Sequence, residues 1–174
     1  MSGAGDHLGF ALAHRWTERR LQRSPLAWTI LRNGLYAELV GALAAPIDGI
    51  MSAPFGVAPI AAVAREDLAD AALSVLRAPH HHISAIYDLS GTTAWSVPEL
   101  AHALDVAYAP VSLAQQRAIL AASGMLPFQP AMLMSIYSAA AGGFLAAPAS
   151  DLDSLLSTAP RDSFALAMAA AKPR

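Results

Sequence analysis

The chain contains no cysteine, which excludes disulfides and thiolate chemistry. Charge is also scarce: 14% of residues are Asp, Glu, Lys or Arg, against roughly 25% in an average soluble domain. Long apolar runs are missing as well. Arg32 and Glu38 interrupt the central hydrophobic stretch, and the run from Ala139 to Ala149 is too short for the ~18 residues a membrane span requires. No signal peptide is expected, because Asp6 precedes any positive charge and no compact apolar core leads to a small-residue cleavage site. A cytoplasmic location is the expectation. The eleven basic residues are scattered and the net charge is −2, so the electrostatic footprint of a nucleic-acid binder is absent.

What the chain does have is 55% hydrophobic residues and a mean hydropathy of +0.41, much of it alanine. Its 174 residues suffice for one domain, or one with a small appendage, around a real core. The organising stretch is Leu26 to Leu39. Trp28, Thr29, Ile30 and Leu31 read as a strand covered on both faces, and Arg32-Asn33-Gly34 then breaks the pattern before a helix. Gly34 permits close backbone approach, and in open α/β sheets ligands bind beyond the carboxyl ends of strands.

In chain order, Asp6 to Arg23 carries apolar residues at helical spacing and is stopped by Ser24-Pro25. A strand over Ala27 to Leu31 and a short helix over Leu35 to Leu43 follow. Pro46, Gly49, Pro54, Gly56 and Pro59 punctuate a loop, and Pro59 to Ala64 can form a short strand. Glu66 and Asp67 open a helix that Arg77 closes, matching both poles of the dipole. Ser84 to Leu89 reads as a strand. Ser96 and Glu99 form a capping box for the helix after it. Val106 to Leu113 is a possible strand, and the remainder reads as helices over Ala114 to Ser123, Gln129 to Ala141, Asp151 to Leu156 and Ser163 to Ala171. Alternation of strand and helix giving way to helices describes an α/β sheet with a small helical cap.

Three motifs bear on chemistry. Gly3-Ala4-Gly5-Asp6-His7-Leu8-Gly9 imitates a dinucleotide fingerprint but has Leu8 where glycine is needed and no strand before it. His80-His81-His82 lack carboxylate or cysteine partners at ligand spacing, so no metal site is expected. His14, Thr17 and Glu18 share a helix face; His14 is either a surface residue or an acid–base group with a reference pKa near neutrality. Tyr36 either faces a ligand or packs. No tyrosine is followed by lysine four residues later.

Taken together, the blocks from His14 (HRWTERRLQRSPLAWTILRNGLYAEL), Val63 (VAREDLADAALSVL) and Ile86 (IYDLSGTTAWSVPELAHAL) resemble the NmrA-like atypical short-chain dehydrogenase/reductases, and among these the type 2 NAD(P)H:quinone oxidoreductases. The resemblance runs from about His14 to Leu156. It implies a partial Rossmann-like sheet with helices plus a small, mainly helical C-terminal cap, residues 1–104 forming the later part of the NAD(P)-binding domain and 105–174 the substrate-side cap. Thr17, Glu18, Trp28, Thr29, Leu31, Arg32, Asn33, Gly34 and Tyr36 match the family's pocket motif. His14 falls where related reductases place a catalytic Lys or His. The resemblance further implies cofactor contacts at Arg32, Asn33 and Gly34, substrate contacts at Tyr36 and Glu38, and a helix-capping role for Asp67. Gly91, Ala94, Trp95, Glu99, Leu100 and Ala101 match the family's cap-side segment.

Three departures qualify the match. Pro25 stands where the family prefers glycine, and the connections near Pro46 and between Leu104 and Tyr108 are short. The largest is that the family's first strand and G-x-x-G-x-x-G turn have no counterpart here. Since that turn supplies the N–H groups that hold pyrophosphate, NADPH or NADH is expected to bind weakly. The implied activity is hydride transfer to a quinone-like acceptor, impaired in this chain; the alternative is a non-catalytic fragment or interaction module. The apolar strand Ala27 to Leu31 would also lack neighbours, and exposing ~400 Å² of apolar surface forfeits roughly 10 kcal/mol. Self-association or poor folding is therefore expected: light scattering with circular dichroism should show oligomers or a weak transition, and a cooperatively folding monomer at micromolar concentration would contradict it.

Overall fold

The computed structural model describes residues 11–146 and 150–172. The Gly3 to Gly9 stretch, and the first part of the expected leading helix from Asp6 to Phe10, lie outside the described residues. Helix α1 covers Ala11–Gln22, strand β1 Thr29–Asn33 and α2 Ala37–Ala44; β2 (Ile50–Met51), α3 (Arg65–Arg77), β3 (Ala85–Leu89) and α4 (Val97–Ala103) follow. Then come β4 (Ala107–Tyr108), α5 (Leu113–Ala121), α6 (Gln129–Ala141), α7 (Leu152–Leu155) and α8 (Ser163–Ala170).

β1 and β3 pair in parallel, with Thr29 opposite Ala85 and Asn33 opposite Leu89. Parallel pairing demands a crossover, and α2 and α3 both lie within it. A second, two-residue parallel pair joins β2 to β4. The described chain is thus a mixed α/β structure. β1 runs two residues further than the sequence pattern suggests, because Arg32 and Asn33 hold their ladder positions opposite Asp88 and Leu89 while turning exposed faces to solvent. The expected strand Val106 to Leu113 contracts to Ala107–Tyr108. Its hydrogen bonds to the β2 side nevertheless continue on both sides of Pro110, from Ala109 N–H to Met51 O and from Val111 N–H to Ser52 O.

The segment from Ile60 to Ala64 is buried throughout, yet it forms bridges rather than a ladder: Ile60 with Trp95 and Val63 with Tyr36. Local signals fix the helices. Glu66 and Asp67 stand in the first turn of α3 and Arg77 in its last. Ser96 and Glu99 make the reciprocal capping box of α4, which holds the Glu99 carboxyl below its ordinary range. Ser112 and Gln115 repeat the device at α5.

Two clusters fill the interior. The larger gathers Phe55, Ile60, Trp95, Leu100, Ile136 and Tyr137 with the inner faces of α2, α4, α6 and α8. Tyr137 meets Phe55 edge-on at 5.0 Å, and burial pushes its phenol up to about 12. The smaller cluster, Val63, Leu68, Val75, Leu89, Leu152 and Leu155, lies under the β1–β3 pair and takes in Leu31, Tyr36 and Tyr87 at its margin.

α2 and α8 pack closely because residue 41 is glycine. A Cβ there would stand 2.2 Å from the carbonyl oxygen of Ala167. Helix propensity alone would make Gly41→Ala stabilising by ~1 kcal/mol. Overpacking against rigid backbone reverses the sign, so the variant should lose about 1–3 kcal/mol in urea unfolding; a gain would mean that the helices do not touch at this point.

Candidate functional site at the strand ends

The carboxyl ends of β1 and β3 meet at Asn33 and Leu89, and two glycines let the chain leave them without opening the pair. Gly34 donates its N–H to Leu89 O at 2.8 Å, and a Cβ on it would lie 2.9 Å from that oxygen and 3.1 Å from Ser90 Cα. On the β3 side Gly91 donates to Ala61 O at 2.9 Å, where a Cβ would come within 2.1 Å of Ala62 O. A later segment fastens the rim. Asp151 accepts the Asp88 N–H at 2.8 Å and returns its own N–H to Asp88 O at 2.9 Å, while the Ser150 hydroxyl donates to Ser90 O at 2.7 Å. Behind Gly91, Thr92 and Thr93 a cavity of about 10 Å³ extends toward Asp67 and Arg161. That is room for about one water and for no larger molecule.

Arg32 presents a two-pronged contact to Glu18, Nε to Oε1 at 2.9 Å and Nη2 to Oε2 at 2.8 Å, and reaches Asp88 at 3.5 Å. These hydrogen bonds push the guanidinium above its usual range and hold the Glu18 carboxyl below its own. Arg32 thereby ties α1 to the end of β1. His14 is exposed one turn before Glu18, and its charge contributes to lowering the Glu18 pKa after Arg32 and against desolvation. Helix α1 is thus tied through Glu18 to the strand end that carries Asn33.

Asn33 is exposed beside Gly34, and its amide makes no hydrogen bond to the described residues. Tyr36 is half-buried against the smaller cluster, and its backbone bridges Val63. Its hydroxyl likewise has no partner among the described residues. Glu38 points elsewhere: its carboxylate accepts the Arg65 N–H at 3.2 Å, at the first residue of α3, and pairs with the Arg65 side chain at 3.8 Å. Arg32, Asn33 and Gly34 thus stand together at the end of β1, His14 lies on the helix that Arg32 ties there, Tyr36 packs against the smaller cluster, and Glu38 is engaged at a helix terminus. His82 shares a hydrogen bond with Tyr87 at 2.8 Å, and among the described residues no group of three or more His, Asp or Glu is arranged to hold a metal.

Sequence reasoning missed Asp88, Ser90, Ser150 and Asp151 as the rim of the site. Their pairings span about sixty positions, and no local motif announces them. It also missed Arg161. Since α3 has no side-chain hydrogen bond at its N-cap, the Asp67 carboxylate, 1% exposed, does not serve as the helix cap expected of it. It accepts the Arg161 N–H at 2.9 Å and the Arg161 guanidinium, which also reaches Glu66 at 3.0 Å and Asp70 at 2.9 Å.

Because the Glu18 carboxyl is held below its ordinary 4.5, the bridge to Arg32 contributes fully above that value and is lost as pH falls through the lowered one. Arg32→Ala should speed amide exchange in α1 by about two- to fivefold at neutral pH, the range of a partly exposed ion pair. The unaltered chain should show the same loosening only on acidification below about pH 4. Equal exchange in both proteins at neutral pH would mean that the bridge does not hold α1.

No family model matches the chain. Over 96 residues, 54% of its length, it is 38% identical to quinone oxidoreductase 2 of Escherichia coli, of which the match spans 33%. A crystal structure of an NADPH-dependent quinone oxidoreductase from Escherichia coli superimposes on 95% of the chain with a TM-score of 0.79 and 28% identity, and 62% of that structure is covered. The triphenylmethane reductase of Citrobacter sp., solved with NADP(H), superimposes on 92% of the chain with a TM-score of 0.74, 24% identity and 59% of its own length covered; at that identity the likeness is one of fold. The chain thus spans less than two thirds of each of these proteins. No described helix is long and apolar enough to cross a membrane. Over the matched stretch the chain is thus similar in sequence to quinone oxidoreductase 2, and over nearly all its length it is similar in fold to a solved NADPH-dependent quinone oxidoreductase.

Proposed function

We propose that the end of β1 forms the nicotinamide and acceptor side of an NAD(P)H-dependent reductase that passes hydride to a quinone-like acceptor. The observation that carries this reading is that Asn33 and Tyr36, beside a glycine that keeps the backbone close and flat, have polar groups with no partner among the described residues. A hydrogen-bonding edge of this kind suits a carboxamide or a quinone oxygen. Homology to quinone oxidoreductase 2 supports the reaction class.

The residues fit the nicotinamide end of the cofactor better than its phosphates. Arg32 is engaged by Glu18 and Asp88, and the first turn of α2 carries the acidic Glu38, which opposes an anion there. Weak cofactor binding follows. When bound, the cofactor supplies the hydride; the chain's part is to orient the acceptor through Asn33 and Tyr36 and to deliver a proton to its oxygen from His14. Residues 1–104 are read as the later part of the cofactor-binding domain and 105–174 as a helical cap on the substrate side. A cytoplasmic setting with its reduced nicotinamide pool suits this chemistry. Among the described residues β1 has β3 as its single ladder neighbour, and we assign its other edge to pairing with a second copy, which light scattering would register as a dimer.

NADPH oxidation in the presence of a simple naphthoquinone tests the reading. The chain should turn over with a KM for NADPH well above the micromolar range. His14→Ala should lower kcat by about a hundredfold, within the span of general acid–base contributions, and Asn33→Ala should raise KM. A His14→Ala variant with unchanged kcat removes that residue from the mechanism. Absence of both turnover and calorimetric NADPH binding would favour a non-catalytic interaction module.

A further inference from the structure

Between Asp105 and Asp151 the chain carries a single charged residue, Arg117. The same stretch holds six of the large apolar side chains that face solvent, among them Ile119, Leu126 and Phe128 at 54, 59 and 62% exposure. α5 and α6 pack against one another over Leu120 and Leu133, and between them opens a cleft of about 350 Å³ lined by Leu113, Ala114, Arg117, Met134 and Ser138. Among the described residues Arg117 makes neither an ion pair nor a hydrogen bond, and the Ser138 hydroxyl has no partner either.

The other strongly placed arginines differ. Arg32 and Arg161 are both held by carboxylates. Arg117 sits instead on a surface that offers no negative charge along its own two helices. Arg117 is exposed, so its pairing with an anion strengthens only as the apolar body of a ligand covers the cleft and displaces water from around the guanidinium. The cleft is of the size that holds small molecules, and its lining is mixed: Leu113, Ala114 and Met134 supply apolar surface while Arg117 and Ser138 supply polar groups that can orient a ligand.

We infer that the α5–α6 cleft is a binding site for a small apolar monoanion, a carboxylate, sulfonate or acidic enol attached to an aromatic or aliphatic body. Its charged group would meet Arg117 and Ser138, and its body would cover Leu113, Ala114 and Met134. Charge complementarity selects this occupant: a neutral apolar molecule would leave the arginine unused, and a polyanion would find no second cation. The site is separate from the strand end and does not depend on hydride transfer there.

Fluorescence titration of the full chain with 8-anilinonaphthalene-1-sulfonate, alongside its neutral counterpart N-phenyl-1-naphthylamine, tests the site. The sulfonate should bind saturably and be displaced by decanoate. Arg117→Gln should weaken it about tenfold, the scale of one charge-assisted hydrogen bond, Arg117→Lys should weaken it less, and the neutral dye should be indifferent to both. Circular dichroism melts should be unchanged, since Arg117 is exposed. Met134→Trp, which fills the cleft without touching the charge, should abolish both dyes' binding. Sulfonate affinity independent of Arg117, or equal losses for the two dyes in Arg117→Gln, would overturn the proposal. So would Arg117-dependent adsorption to vesicles of anionic phospholipid without binding of the soluble anion, which would identify a membrane surface as the partner.

Discussion

Buried backbone must find hydrogen-bond partners, and the five residues from Ile60 to Ala64 show how much of this structure follows from that requirement. They are covered on all sides but have no continuous ladder. Ile60 exchanges hydrogen bonds with Trp95, Ala61 donates to Leu145 and accepts from Gly91, and Val63 donates to Leu35 and accepts from Ala37. One short segment thus fixes the start of α2, the turn after β3, the approach to α4 and the chain beyond α6. Gly91 is needed because its backbone has to reach Ala61 past Ala62. The strand-end site is built on the outer side of this knot.

The next buried polar group extends the same logic to the C-terminal segment. A carboxylate as enclosed as that of Asp67 costs several kcal/mol unless it is paired and hydrogen-bonded. Arg161 supplies both a backbone N–H and a guanidinium. With Arg161 anchored on α3, α8 begins two residues later at Ser163. The Ser163 hydroxyl accepts the indole N–H of Trp95 at 3.0 Å, and α8 lies close enough to α2 to require Gly41. Residues far apart in sequence thereby share the larger core, and α2, which opens right after the candidate site, is held from both sides.

Sequence patterns read well where the deciding contact is local. The charges at either end of α3, the Ser96–Glu99 box and the Gly142-Gly143 stop after α6 each lie within one or two turns of what they determine, and the helices appear at those positions. Legibility fails where the deciding partner is distant. Nothing near Glu38 indicates that its carboxylate serves the first turn of α3, and nothing near Asp67 indicates Arg161. Arg32 and Asn33 looked like a turn because they are polar; they remain strand because β3 pairs with them regardless of which way their side chains face. Of the candidate site, the strand end with Asn33 and Gly34 lies within one contiguous stretch of sequence, whereas its rim from Asp88 to Asp151 is a matter of tertiary pairing.

The division between engaged and unengaged polar groups carries the functional argument furthest. A polar side chain that completes an internal network contributes to stability and has little left for a ligand; one without a protein partner must be satisfied by water or by a bound molecule. Arg32, Glu18, Asp88 and Asp151 belong to the first kind, and their shared network turns the end of β1 into a rigid frame. Asn33, exposed at the strand end, and the hydroxyl of the half-buried Tyr36 belong to the second. Preorganised groups on rigid elements hold a reacting pair at fixed geometry better than groups on loops. At the end of β1 the cation Arg32 is already engaged by carboxylates, which leaves the strand end few means of gripping a polyanion.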